Sequence, residues 1–261
     1  MSPAAVVTGA ARGMGAATVD ALVGAGWQVV ALDRCADDPA LDYPLASKSD
    51  LEEVAARHGA AVRTVVGDVR SRADLREAVD EAVRHFGGLQ AAVAVAGVIG
   101  GGPPLWEADD AQWDVLFDVN VNGVRNLAAA AVPTLLQAPA PRSGRFVAVA
   151  SAAGLLGLPR LSGYSASKHA VIGLVRSLAA DLAGTGVTAN AVCPGSTRGP
   201  MLDASAAVYG LGSPEEFAVH QLVERLLEPA EPAALIAWLC GRDAGGVTGA
   251  ALPVDGGMTT S

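Results

Sequence analysis

Ser151, Tyr164 and Lys168 are the residues of this chain whose types and spacing could do chemistry. Tyr164 and Lys168 stand four apart in Tyr164-Ser165-Ala166-Ser167-Lys168. That spacing puts both on one face of a helix, about 6 Å apart along its axis. A free tyrosine titrates near ~10 and is a poor base at neutral pH. A nearby ammonium favours the phenolate, as a positively charged nicotinamide would. Bringing the value down to ~7 requires ~4 kcal/mol of favourable field, which a closed and partly dry site can supply. Ser151 lies thirteen residues before Tyr164 and ends a strand, where α/β folds place their ligands. Its hydroxyl can hold a substrate oxygen. The three can relay a proton at an alcohol or ketone oxygen. With an N-terminal loop suited to a dinucleotide, they point to hydride transfer between an alcohol or ketone and a nicotinamide.

The N-terminal end carries the matching signal. Thr8-Gly9-Ala10-Ala11-Arg12-Gly13-Met14-Gly15 follows an apolar run and opens a helical stretch. Glycines there let the backbone turn tightly and approach a pyrophosphate, while the helix N-terminus offers free N–H groups. The spacing is GxxxGxG, not the GxGxxG fingerprint, so the position between strand and helix carries the nucleotide reading. Asp33 ends the second strand and can accept hydrogen bonds from the adenosine ribose hydroxyls. It would repel a 2′-phosphate, which favours NAD over NADP. Arg12 and Arg34 are the counter-signal, since either could pair with that phosphate. Asp68, closing the third strand, can meet the adenine amino group or simply hold a turn.

Alternating strand-like and helix-like segments must position these groups. Strands are expected at Ala4–Thr8, Gln28–Asp33, Val62–Val66, Leu89–Val95, Arg145–Ser151, Val187–Val192 and Ala251–Val254. Helices are expected from the glycine loop to Ala25, from a Ser49/Glu52 capping box to His58, and over Ser71–Phe86. Others are expected over Asp109–Leu136, Tyr164–Leu182 and Pro229–Cys240. The alternation predicts one doubly wound α/β domain over residues 1–261, a parallel β-sheet with helices on both faces. Residues 34–48 make an unusually long connection. Residues 196–228 are less regular and read as a substrate lid, whose Met201, Leu202, Tyr209, Leu211 and Phe217 could line a pocket.

Composition narrows the class. The net charge of −9 argues against nucleic acid or an anionic membrane as partner. No apolar run reaches the ~18 residues of a membrane span. Cys35, Cys193 and Cys240 are odd in number and form no CxxC, which predicts reduced thiols and a cytoplasmic setting. His58, His85, His169 and His220 show no metal-ligand spacing, so no metal is expected.

Taken together, the glycine loop, Asp68-Val69, Ala96-Gly97, Asn120, Ser151, Tyr164, Lys168, Pro194-Gly195 and Asp255-Gly256-Gly257 resemble the short-chain dehydrogenase/reductase family over nearly the full length. The resemblance implies a Rossmann-type fold with Tyr164 as general acid/base and Ser151 orienting the carbonyl or hydroxyl. It implies that Lys168 lowers the tyrosine pKa and binds the nicotinamide ribose, that Asn120 holds a proton-passing water, and that Pro194-Gly195 lines the nicotinamide. It also implies a homotetramer built partly through the helices at Asp109–Leu136 and Tyr164–Leu182. Two departures stand out. The family's Asn-Asn-Ala-Gly is here Ala94-Val95-Ala96-Gly97, and Gly199 stands where a threonine is usual, leaving Thr197 as its possible substitute. The stretch Asp33-Arg34-Cys35-Ala36 with Tyr43-Pro44-Leu45-Ala46-Ser47 is similar to the mycofactocin-coupled, carveol dehydrogenase-like subgroup. That likeness implies a loop over the adenosine half of NAD and reoxidation in place by mycofactocin. The expected substrate is a small apolar alcohol or its ketone. The alternatives are an NADPH-linked ketoreductase of the acyl-carrier type and a non-catalytic NAD-binding sensor.

Overall fold

In the computed structural model, which describes residues 2–260, seven parallel strands form one sheet. They are β1 (Ala4–Thr8), β2 (Gln28–Asp33), β3 (Val62–Val66), β4 (Ala91–Ala94), β5 (Arg145–Val149), β6 (Thr188–Pro194) and β7 (Ala251–Val254). Their order is β3-β2-β1-β4-β5-β6-β7, so the chain reverses its direction of winding between β1 and β4. In such sheets the crevice beyond the strand C-termini at that point is where ligands sit. β1, β4, β5 and β6 are buried along their whole length, as expected of strands covered on both faces.

The helices are α1 (Gly13–Gly24), α2 (Lys48–His58), α3 (Arg72–Phe86), α4 (Asp110–Phe117), α5 (Gly123–Gln137), α6 (Ser162–Asp181), α7 (Pro200–Tyr209) and α8 (Ala230–Cys240). Two apolar clusters cover the two faces of the sheet. One holds Leu75, Val79, Leu127, Phe146 and Ile172; the other holds Val19, Leu22, Leu51, Ile236 and Leu239. The small residues of β1 and β4 let the helices pack close to the sheet.

Three expectations change. The cap of α2 is Ser47, not Ser49: its hydroxyl accepts from Asp50 N, and the Asp50 carboxylate accepts from Ser47 N. Both serines have an acidic residue three positions on, and the upstream pair takes the cap. The expected helix over Asp109–Leu136 is two helices joined by a π turn at Asp118–Asn122, closed by Gly123 N onto Asp118 O. The irregular stretch after Gly195 contains α7, with Pro200 in its first turn and left-handed Gly210 after its end. Those are the punctuation marks of a short helix.

Candidate active site

The glycine loop turns at Gly9, where φ is +66°. A Cβ there would come within 2.6 Å of Ala96 Cα, and one on Gly15 would fall 1.8 Å from Gly9 O. Strand end, loop and helix start therefore meet at distances that only glycine allows. No side chain caps the N-terminal N–H groups of α1, and Gly13, Met14 and Gly15 of its first turn line the crevice. Asp33 braces the loop: its carboxylate accepts from Ala11 N (3.1 Å) and Cys35 N (3.2 Å).

These residues line a cavity together with Arg12, Gly13, Met14, Arg34, Asp68, Val69, Ala96, Gly97 and Thr197. Twelve of the sequence-predicted cofactor residues thus share one concave surface. The connection 34–48 closes over it, with Asp38, Leu41, Tyr43, Leu45 and Ala46 in the wall. This strap is tied down at several points. Arg12 Nη2 donates to Pro44 O (2.9 Å), Ile99 N donates to the Tyr43 hydroxyl (2.9 Å), and Leu45 N donates to Asp37 (2.7 Å). Burial pushes the Tyr43 phenol up to about 12, so it stays neutral and keeps this bond. Cys35 lies at the strap's root; burial, then the Asp33 carboxylate, raises its thiol to about 11 and makes it unreactive.

A second cavity of about 730 Å³ opens beside the first. The two share Met14, Thr197 and Met201. Ser151, Tyr164, Pro194 and Gly195 line it, as do the five predicted lid residues Met201, Leu202, Tyr209, Leu211 and Phe217. His220 and Gln221 of the expected lid stretch 196–228 also line it, as do Leu156, Leu158 and Pro159, which the sequence did not single out. The last three belong to the loop between Ser151 and Tyr164, whose length alone hinted that it bordered the site. Gly195 also has a packing reason, since a Cβ there would sit 2.7 Å from Asp255 Cα.

Tyr164 and Lys168 lie on α6, as their spacing predicted, with the ammonium 5.7 Å from the phenol ring centre. Tyr164 is 7% exposed and its hydroxyl faces Met201 Sδ at 4.0 Å. Burial raises the phenol's pKa, and the Ser151 hydroxyl works in the opposite direction. Ser151 Oγ is held by Ala153 N at 3.1 Å. Lys168 Nζ donates to Val149 O at 3.0 Å, and burial lowers its pKa to about 8. Asn120 sits inside the π turn, fully buried. Its Oδ1 accepts from Val98 N (2.8 Å), and its Nδ2 donates to Val98 O and Ser167 Oγ (both 3.0 Å). The extra residue of a π turn shifts the face that follows it, a device common at functional sites. Lys168 and Asn120 line neither cavity; both stand behind Gly97, 3.2 and 3.3 Å from where its Cβ would be.

The predicted residues at the adenosine end need qualification. Arg34 does not reach freely into the cavity, because its guanidinium is paired with Asp38 and Asp68. Asp68 likewise holds Arg70 through both carboxylate oxygens. Thr197 turns its hydroxyl back onto Gly195 O (3.1 Å), so it does not point freely at a ligand. The histidines form no cluster: His58 pairs with Asp20, His85 with Glu81, and His169 bonds to Ser165 O. Among the described residues no group of side chains could hold a metal ion, and no helix is long and apolar enough to cross a membrane.

A family profile described as enoyl-(acyl carrier protein) reductase matches residues 9–259. An uncharacterised NAD-dependent oxidoreductase of Mycobacterium tuberculosis is 36% identical over 263 residues, covering 97% of this chain and 94% of its own. The (−)-trans-carveol dehydrogenase of Rhodococcus erythropolis is 34% identical over 270 residues, covering 98% and 96%. Among solved structures, carveol dehydrogenase from Mycobacterium avium in complex with NAD superimposes with a TM-score of 0.93 at 29% identity, covering 99% and 98%.

Proposed function

This chain belongs to the short-chain dehydrogenase/reductase family, and from that premise we propose that it is an NAD-dependent oxidoreductase that interconverts a secondary alcohol and its ketone. The observation that carries the proposal is the convergence of Ser151 and Tyr164 on one apolar cavity that meets the glycine-lined cavity. The residues present fit the dinucleotide. A cradle that a Cβ would fill at Gly9 and Gly15 suits a pyrophosphate, and Asp33 retains carboxylate lone pairs for ribose hydroxyls. Bound there, NAD supplies the hydride acceptor or donor.

This chain's residues would do the rest. Ser151 holds the substrate oxygen, using the hydroxyl hydrogen that Ala153 N leaves free. Tyr164 takes the proton from an alcohol or gives one to a ketone. Its buried phenol is kept protonated in the cofactor-free protein. Lys168, held by Val149 O, would supply positive charge beside the phenol ring. Asn120 fixes the Val98 backbone next to Gly97 and Lys168, and so shapes the exit for the proton. The cavity walls are apolar apart from a few groups, which supports the expected small apolar alcohol or its ketone.

The strap supports slow release of NAD and hence reoxidation on the enzyme by mycofactocin. The family resemblance supports a homotetramer, and three free cysteines support a cytoplasmic setting. The pairing of Arg34 with Asp38 and Asp68 disfavours the NADPH-linked alternative, and the intact Ser–Tyr–Lys set disfavours a sensor. Replacing Tyr164 with Phe tests the reading. Turnover of cyclic secondary alcohols should fall by at least about a hundredfold while NAD affinity changes little, as expected on losing a general acid/base. Turnover within threefold of the parent would refute the role of Tyr164.

A further inference from the structure

The strap brings a carboxylate to the adenosine end that the core of the fold does not provide. Asp38 is 7% exposed and takes two guanidinium groups on one oxygen: Arg34 Nη1 at 2.7 Å and Arg70 Nη1 at 3.0 Å. Its other oxygen accepts from Ala40 N at 3.1 Å. The same two arginines also grip Asp68, Arg34 through Nε at 3.3 Å and Arg70 through Nη2 at 2.6 Å. Two cations and two anions therefore alternate in a closed square. Burial pushes the Asp38 carboxyl up, but the Ala40 N–H and the two guanidinium groups outweigh it and hold the carboxyl ionised.

Arg34 directly follows Asp33 and lines the cofactor cavity, the place from which an arginine can accommodate a 2′-phosphate. A phosphate needs guanidinium donors that are unspent. Here the charges of Arg34 and Arg70 are already matched by Asp38 and Asp68, and Asp33 immediately precedes Arg34 in the chain. We propose that Asp38 is a cofactor-specificity residue, which disfavours NADP by occupying Arg34, the arginine of the cavity wall next to Asp33 that would otherwise bind its 2′-phosphate; Arg12, across the cavity, is tied to the strap through Pro44 O. The proposal rests on the reading of the crevice as a dinucleotide site. Selectivity then has two separable parts: Asp33 repels the phosphate, and Asp38 withholds Arg34 from it.

A double-mutant cycle read by direct binding tests this, with NAD and NADP titrated separately by calorimetry. Asp33→Ala alone should weaken NAD yet raise NADP affinity by less than about threefold, because Arg34 and Arg70 stay engaged. Asp33→Ala with Asp38→Asn should raise NADP affinity by a further ten- to hundredfold, the effect of about one charge-assisted contact. Adding Arg34→Gln should abolish that gain, and raising salt should erode it. The proposal is overturned if Asp33→Ala alone reaches the affinity of the double variant, or if Asp38→Asn weakens both dinucleotides equally. A further arm leaves Asp38 untouched, in case its loss unfolds the strap. In the Asp33→Ala background, Arg34→Gln should change NADP affinity by less than about threefold; a larger loss means Arg34 was already free and overturns the proposal. If the parent protein binds NADP as tightly as NAD, the NAD reading fails at the first titration, before any variant is compared.

Discussion

Replacing Lys168 with Met should make the cofactor-free protein more stable at neutral pH while removing its activity. The ammonium is 3% exposed, bonds to one carbonyl, and has no carboxylate partner within salt-bridge distance among the described residues. Burial lowers its pKa from the 10.5 of a free lysine to about 8, so holding the charge costs ~3 kcal/mol at ~1.4 kcal/mol per pH unit. Methionine fills a similar volume without charge, and losing the bond to Val149 O returns ~1 kcal/mol. A net gain of ~2 kcal/mol is expected. The sign follows from proton binding. Below pH ~8 lysine is charged in both states and the full cost is present. Between ~8 and ~10.4 the unfolded chain binds more protons, so the parent's stability rises with pH and the gap closes. Urea denaturation of both proteins at pH 6.5 and pH 10, without cofactor, reads this directly. A Met variant less stable than the parent at pH 6.5, or a difference that does not change with pH, would refute the claim that a function-bearing cation is buried at the expense of stability.

Two further substitutions probe the cradle and its cover. Tyr43→Phe leaves Ile99 N without its partner when the strap is shut, at about 1–2 kcal/mol, and should speed NAD release about 5- to 30-fold. Displacement of bound NAD by excess unlabelled ligand in stopped flow measures it, and an unchanged rate would mean that the strap does not retain the cofactor. Gly9→Ala places a Cβ 2.6 Å from Ala96 backbone at a positive φ. It should destabilise the fold by about 2–4 kcal/mol and abolish NAD binding, read by thermal melts with and without NAD.

What could be read from the chain depended on sequence distance. Tyr164 and Lys168 declared themselves because helical geometry fixes neighbours four residues apart. The strands of the switch point were visible as short apolar runs, and the glycine loop by its place between β1 and α1. The strap's anchors were not visible. Tyr43 bonds to a backbone N–H fifty-six residues away, and Asp38 meets Arg70 across thirty-two. Nothing in the local pattern of 34–48 encodes those partners. The π turn at Asn120 was hidden for a different reason: one extra residue scarcely disturbs an apolar periodicity, yet it decides which way the asparagine faces. Arg34, legible as a phosphate ligand, turned out to be neutralised by residues whose proximity only the folded chain creates.

The central claim is that this site moves a hydride from a carbinol carbon to NAD while Tyr164 takes the proton. The direct measurement uses cyclic secondary alcohols deuterated at the carbinol carbon, incubated with the NAD-loaded protein, followed by mass spectrometry of the dinucleotide. The account predicts one deuterium in the reduced nicotinamide for every ketone formed, and labelling at least about a hundredfold slower when Tyr164 is Phe. Ketone formed without deuterium in the nicotinamide, or equally fast labelling by the Tyr164→Phe protein, would contradict it.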